Sequence, residues 1–234
     1  MVRWMANSTS GDPARCGVRK AQYHWGWDWG PILMTAGIWR DVRLEVYRAR
    51  IQDLHVHTSL SPDHETAVIT VFADVDSTNP ASHNASHVRL SLHLNDDEVA
   101  REDMSVMKDG VKAAFHLNMP SLWWPSGYGK QTLYVATALL MMGEHEIHRV
   151  SKKVGIRTAE VIQQDDKHGK SFFFRINGVD IFCGGSCWIP ADSLLSNIRP
   201  ERYRRWVELM AAGNQVMVRC VMPLFALACV RMAH

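Results

Sequence analysis

The sequence predicts a mainly β protein built around an antiparallel sandwich. Two observations carry this expectation. From about residue 51 to residue 158, apolar side chains recur at every second position, the period of a half-buried strand. Turn-forming clusters interrupt that pattern at regular intervals, at Ser61-Pro62-Asp63, Asn79-Pro80, Asn95-Asp96-Asp97, Asp109-Gly110 and Ser126-Gly127. About seven short strands in ~100 residues, with turns between them, fit an immunoglobulin-like β-sandwich. A third observation, a change of pattern after Thr158, places a different kind of structure behind the sandwich.

Ahead of the sandwich the chain is polar, and Ser8-Thr9-Ser10-Gly11-Asp12-Pro13 is expected to be loop. Then comes Trp25-Gly26-Trp27-Asp28-Trp29-Gly30-Pro31. In an extended segment the three indoles line one face, with Gly26 and Asp28 on the other. Such a cluster is either a core anchor or a ligand platform. Indole faces beside a carboxylate suit a sugar ring, whose C–H face stacks and whose hydroxyls donate to the carboxylate. In a core, Asp28 needs a cationic partner to offset its desolvation, and Arg40 and Arg43 are the candidates. Val42-Arg43-Leu44-Glu45-Val46 alternates cleanly and is expected to form a strand.

Within the sandwich, Leu54 and Val56 alternate with His55 and His57, and Ala67 to Val75 is rich in β-branched residues. Val88, Leu90, Leu92 and Leu94 alternate with Arg89, Ser91 and His93. Val111 to Leu117, Leu133 to Leu139 and Ile147 to Ile156 continue the set. Trp123-Trp124-Pro125 suits a strand edge or bulge, because proline cannot donate to a ladder. His55 and His57 project to one strand face, yet no third ligand stands at metal-binding spacing, so a solvated face and no metal are expected. Cys183 and Cys187 have no second cysteine pair near them, which argues against zinc.

After Thr158, Phe172 to Phe182 is expected to be a hairpin turning at Asn177-Gly178, since a type I′ turn needs positive φ at both central residues. Gly184-Gly185-Ser186 follows as a loop, and Trp188-Ile189-Pro190-Ala191-Asp192 forms a second Trp–Asp pair. That pair is either a loop closed by a buried indole or part of a sugar pocket. Pro200 suits the first turn of a helix whose apolar face carries Tyr203, Val207, Met210 and Ala211, and Gly213 fits its end. Gln215 to Arg219 restarts as an apolar strand, so strand, helix and strand open a parallel α/β unit.

Composition narrows the function classes. The 234 residues are 47% hydrophobic with a net charge of +2, and acids and bases are interspersed, which argues against nucleic acid as a partner. No apolar run reaches the roughly 18 residues that span a bilayer, so no membrane partner is expected. Five scattered cysteines do not form a disulfide framework, and no secretion signal is visible, so a cytoplasmic or otherwise intracellular setting is expected. There is no P-loop, dinucleotide fingerprint or nucleophile elbow, and no cofactor is expected.

Several of these motifs together resemble the β-mannosidases of glycoside hydrolase family 2, of the fungal, non-secreted type. They are Arg19-Lys20-Ala21-Gln22, the Trp25-to-Pro31 cluster, Gly37-Ile38-Trp39-Arg40, Val42-Arg43-Leu44-Glu45, Trp123-Trp124-Pro125 with Gly127, Gly155-Ile156-Arg157-Thr158, Phe174-Arg175-Ile176-Asn177-Gly178 and Trp188-Ile189-Pro190-Ala191-Asp192. The resemblance runs in order from about Gly11 to Arg219. It implies the end of a jelly-roll sugar-binding domain over residues 1–47, the immunoglobulin-like sandwich over 48–159, and the start of a (β/α)8 barrel over 160–234. It also implies that Trp27, Asp28 and Trp29 reach over the barrel mouth to a terminal mannosyl unit, and that Trp188 and Asp192 line the same pocket. Many members carry Asn where this chain has Cys187. The implied partners are β-mannoside oligosaccharides or glycans.

Such enzymes hydrolyse with retention, using two glutamates on the barrel. The acid/base glutamate follows an Asn, and this sequence contains no Asn-Glu pair. A (β/α)8 barrel takes about 250 residues. The resemblance stops at Arg219, and the segment from Cys220 to His234 is expected to be foreign to the family, as from a shifted frame, a retained intron or a misplaced gene end. The expectation is therefore a β-mannosidase fragment, truncated at both ends, without catalytic residues and inactive alone. The alternative is a non-catalytic carbohydrate-binding or interaction protein built on the sandwich.

Overall fold

The computed structural model describes residues 17, 24–27, 30–33, 35–38, 40–78, 86–107 and 110–220. Its contacts divide the chain into two units, Leu44–Cys183 and a second made of Met1–Arg43 with Gly184–His234.

In chain order the strands are β1 (Trp25–Trp27), β2 (Gly30–Ile32), β3 (Ala49–Leu60), β4 (Thr66–Ser77), β5 (Ser86–Leu94), β6 (Asp97–Ser105), β7 (Val111–Asn118), β8 (Tyr134–Met142) and β9 (His145–Val154). Then come β10 (Ala159–Ile162), β11 (Asp165–Asp166), β12 (Gly169–Lys170), β13 (Phe173–Ile176), β14 (Val179–Ile181), β15 (Gly185–Trp188), helix α1 (Pro200–Ala212) and β16 (Met217–Cys220). The chain is mainly β, as expected.

The unit from Leu44 to Cys183 holds the sandwich. One sheet is three-stranded, β3-β4-β7, and the other four-stranded, β6-β5-β8-β9, with antiparallel pairing throughout. The alternation in the sequence is the cause. Val88, Leu90 and Leu92 on β5 and Ala136, Ala138 and Leu140 on β8 are fully buried, and they meet Ile69, Val71 and Ala73 from β4. Small residues on β8 opposite larger ones on β5 let the layers fill without voids. Tyr134 is buried at the start of β8, where its hydroxyl oxygen accepts the Ser121 N–H at 2.9 Å.

Strand β6 is absent from the sequence reading, because Asp97, Glu98, Arg101, Glu102 and Asp103 hide its period. Among the described residues it is an edge strand paired only with β5. Charged edges of this kind block further strand addition. The two sheets are also tied at a corner. The Ile51 N–H at the β3 bulge donates to His148 Nδ1 at 3.2 Å, and the Lys152 ammonium donates to the Leu54 carbonyl oxygen.

Residues 159–183 continue the same unit. The expected hairpin is present as β13–β14, and β10 adds a third strand to it. Asn177 and Gly178 take φ of +48° and +76°, the left-handed values the turn demands. A small hairpin, β11–β12, was not expected.

The second unit holds β1–β2 and the β15–α1–β16 segment. Strands β15 and β16 pair in parallel, Gly185 with Met217 through Trp188 with Cys220, and α1 lies between them in sequence. The expected α/β unit is therefore observed, but Gly185, Ser186 and Trp188, expected in a loop, belong to strand β15, because parallel pairing with β16 takes them into the ladder. A Cβ at Gly185 would collide with the Met217 carbonyl oxygen, so the close strand approach requires glycine there. At the end of α1, Gly213 has φ −83°, and Asn214 at +56° takes the left-handed position instead.

One further expectation fails locally. Val42, Leu44 and Val46 form no strand and are 81%, 92% and 91% exposed. Alternation becomes a strand only beside a partner ladder, and among the described residues none pairs with 42–46. The extended run expected across Trp25–Trp29 is described only as far as Trp27, whose register partner is Gly30; Asp28 and Trp29 lie outside the described residues.

Candidate functional site

The first Trp–Asp cluster sits on the β1–β2 hairpin. Trp25 pairs with Ile32 and is 5% exposed, so it is a buried anchor. Leu33 N–H donates to the His24 carbonyl oxygen at 2.9 Å and closes the open end of the hairpin. Asp28 and Trp29 lie between the paired strands in sequence and outside the described residues, as does the side chain of Trp27. The expected partnership of Asp28 with Arg40 or Arg43 falls outside them too.

The second cluster is described fully. Trp188 ends β15 and is 2% exposed. Its ring stacks on Tyr203 (5.8 Å between centroids, 16° between planes) and meets Trp206 at 5.3 Å and 59°. Both partners lie on α1, so Trp188 points to the helix side of the strand pair. Successive strand residues alternate faces, so Cys187 points to the opposite side, where its register partner is Arg219. The Arg219 Nη1–Cys187 Sγ distance is 4.0 Å. The Trp188 indole N–H is buried and has no acceptor among the described residues. A buried donor left without an acceptor is destabilising by roughly 1–3 kcal/mol, so it is a place to look for a missing partner.

Asp192 lies in the loop after β15. One carboxylate oxygen accepts the Leu194 N–H at 2.9 Å, and the other lies 3.8 Å from Arg202 on α1. The Arg202 guanidinium in turn lies 5.6 Å from the Trp206 ring centre. Loop and helix are thus joined twice, by the aromatic cluster and by this ion pair. The apolar face expected for α1, of Tyr203, Val207, Met210 and Ala211, omits Trp206. The spacing from Tyr203 to Trp206 is itself helical, and that was the available signal.

A third constellation, unforeseen in the sequence, anchors the β13–β14 hairpin to the sandwich. Asn177 is 4% exposed. Its side-chain oxygen accepts the Thr158 N–H at 2.9 Å, and its amide nitrogen donates to the Trp123 carbonyl oxygen at 3.0 Å. Its backbone N–H donates to the Thr158 carbonyl oxygen at 3.2 Å. Trp123 packs under the Arg157 guanidinium (4.7 Å) and against Gly155, where a Cβ would stand 2.9 Å from the Trp123 side chain. Burial pushes Arg157 below the usual guanidinium range. Tyr128 adds a further tie, its hydroxyl oxygen accepting the Phe182 N–H at 3.0 Å. Motifs distant in sequence, Trp123-Trp124-Pro125, Gly155-Ile156-Arg157-Thr158 and Asn177-Gly178, are therefore one junction.

Among the described residues, no group of three or more His, Cys, Asp or Glu side chains is placed to hold a metal ion. No helix among them is long and apolar enough to cross a membrane.

The comparisons agree with this architecture. The profile of Glycosyl hydrolases family 2 matches residues 49–157, and that of the glycosyl hydrolase 2 galactose-binding domain-like family matches residues 2–40. Beta-mannosidase B of Neosartorya fischeri is 61% identical over 213 residues, covering 91% of this chain and 25% of that protein. Beta-mannosidase B of Aspergillus niger is 57% identical over 212 residues, with coverage of 91% and 25%. The crystal structure of the β-D-mannosidase of Dictyoglomus thermophilum superposes with a TM-score of 0.78 at 32% identity, over 92% of this chain and 27% of that one. A β-glucuronidase of Parabacteroides merdae shares the fold at 14% identity and a TM-score of 0.65, over 80% of this chain and 22% of that one. The chain spans about a quarter of the length of the curated relatives it matches. The buried alternation, the sheet pairing and the motif order thus have one explanation: the chain belongs to the glycosyl hydrolases of family 2.

Proposed function

We propose that this chain carries part of the sugar-recognition surface of a β-mannosidase, an enzyme that removes terminal non-reducing β-D-mannose with retention. In this reading Trp27, Asp28 and Trp29, which lie between β1 and β2 in sequence, contact the terminal mannose. Trp188 and Asp192 shape the facing wall. The 234 residues alone do not hydrolyse, since they contain no Asn-Glu pair to act as acid/base. The reading includes a reducing, intracellular setting, in keeping with the free thiols of Cys183 and Cys187.

One observation supports the pocket most directly. Asp192 stands in the loop that follows the C-terminal end of the parallel strand β15. Active sites of (β/α)8 barrels are built at that end of their strands. The identity with the two fungal proteins named Beta-mannosidase B supports the choice of sugar.

The test uses the full-length Neosartorya fischeri protein with its matched segment replaced by the corresponding residues of this chain. Hydrolysis of an aryl β-mannoside is expected from the chimaera and not from the 234-residue chain. Asp28→Ala in the chimaera should lower kcat/KM with little change in melting temperature. A large fall in melting temperature with unchanged kinetics would show Asp28 to be structural, and turnover by the 234-residue chain would refute its inactivity.

A further inference from the structure

We propose that the outward face of the three-stranded sheet carries a second binding site, formed by His55, His57, Thr70 and Lys112 around the ring of Phe72, for a compact ring bearing an oxyanion. Nothing in the sugar-recognition surface uses these residues, and the proposal stands apart from the β-mannosidase reading.

Register places the site. His55, Phe72 and Lys112 are neighbours across β3, β4 and β7, and His57, Thr70 and Ala114 are neighbours in the row two residues along. Residues two apart on a strand share a face, so both rows point outward together. Their inward neighbours Leu54, Val71, Ala73 and Ala113 are buried. Thr70 and Ala114 are short, so the second row sinks between its flanks. The surface has a shallow, open depression there, lined by His55, His57, Thr70, Phe72 and Lys112.

The chemistry of the lining selects the ligand. The Lys112 ammonium lies 5.1 Å from the Phe72 ring centre, and the His55 ring lies 6.0 Å from it, tilted by 47°. Cation–π attraction holds the ammonium at the wall of the depression while its N–H groups stay available. Every lining polar side chain can donate a hydrogen bond, and no carboxylate is among them. On the same face the acidic pair Asp53–Asp74 lies in the row beyond His55–Phe72, and Asp53 is engaged by Lys152 at 3.5 Å. One ammonium and three neutral donors beside an aromatic ring match a phosphate or carboxylate on a small ring, and the charge-assisted bond from Lys112 is the strong one. A transition-metal ion would meet two imidazoles but also the repulsion of Lys112.

The experiment follows the imidazole C–H resonances of the 234-residue protein during titration with a hexose 6-phosphate, inorganic phosphate, a hexuronate and a neutral hexose. The oxyanions should give saturable shifts at His55 and His57 and none at His87 or His93 on the other sheet. The response to inorganic phosphate shows whether the ring contributes, and the hexuronate shows whether a carboxylate serves. Lys112→Met should weaken the phosphate ligands at least about tenfold with an unchanged melting temperature. The proposal falls if the neutral hexose shifts both resonances equally, if Lys112→Met leaves affinity intact, if only zinc ions move the signals, or if no ligand does.

Discussion

Asn177→Ala isolates the junction between the hairpin and the sandwich. The substitution removes two hydrogen bonds, those of the side-chain oxygen to Thr158 N–H (2.9 Å) and of the side-chain nitrogen to the Trp123 carbonyl (3.0 Å). Each lost bond costs about 1 kcal/mol, and more if the abandoned group stays dry. Alanine must also hold φ near +48°, which disfavours it by roughly 1–2 kcal/mol. The sum is about 3–4 kcal/mol, a large fraction of the stability of a domain this size. Urea unfolding followed by tryptophan fluorescence measures it, since Trp123 lies in the junction. Asn177→Gly separates the two effects, relieving the backbone strain while losing the same bonds, so it should recover about 1 kcal/mol relative to alanine. Hydrogen exchange at the Thr158 amide should accelerate in both variants. An alanine variant within about 0.5 kcal/mol of the parent, or a glycine variant as stable as the parent, would refute the reasoning.

Three further outcomes are expected. Leu90→Ala, at a fully buried position in the sandwich core, should lower stability by about 2–5 kcal/mol in denaturant melts. Gly185→Ala should force β15 from β16, seen as lost exchange protection of the Val218 and Cys220 amides, with the sandwich unaffected. The hydrogen bond from Arg175 holds the Asp180 carboxyl below the usual carboxylate range. Asp180 therefore contributes stability above its unfolded value of about 3.9, lost as pH falls through the lower folded value. Asp180→Asn should flatten the stability profile over that acid range and leave it unchanged in slope near neutrality.

How far the sequence could be read depended on whether a feature is local. The sandwich strands announced themselves because one face of each is buried, and burial writes period two into the chain. Strand β6 escaped because an edge strand is charged on both faces, so its period carries no hydropathy contrast. Val42–Val46 misled for the converse reason: it has the contrast but, among the described residues, no ladder to join. The helix was legible from Pro200 and its apolar spacing. The side of β15 that Trp188 faces was not, because a strand of four residues is too short to show a period and only the position of α1 decides between its faces. Asn177 was legible as a turn residue, since that role needs only Gly178 beside it. Its second role joins residues 54 positions apart, and no local pattern encodes such a contact.

The Asn177-Gly178 turn also sets a clock on the protein. Asparagine before glycine is the pair most prone to deamidation, because the unhindered glycine nitrogen can attack the side-chain carbonyl carbon and expel ammonia, and water then opens the cyclic imide to a carboxylate. Here that amide is the group that spans Thr158 and Trp123. Its conversion to a carboxylate would bring a negative oxygen against the Trp123 carbonyl oxygen, two acceptors with no proton between them. The junction is thus the point at which chemical ageing would loosen the hairpin from the sandwich, and a mass increase at this one residue would report it.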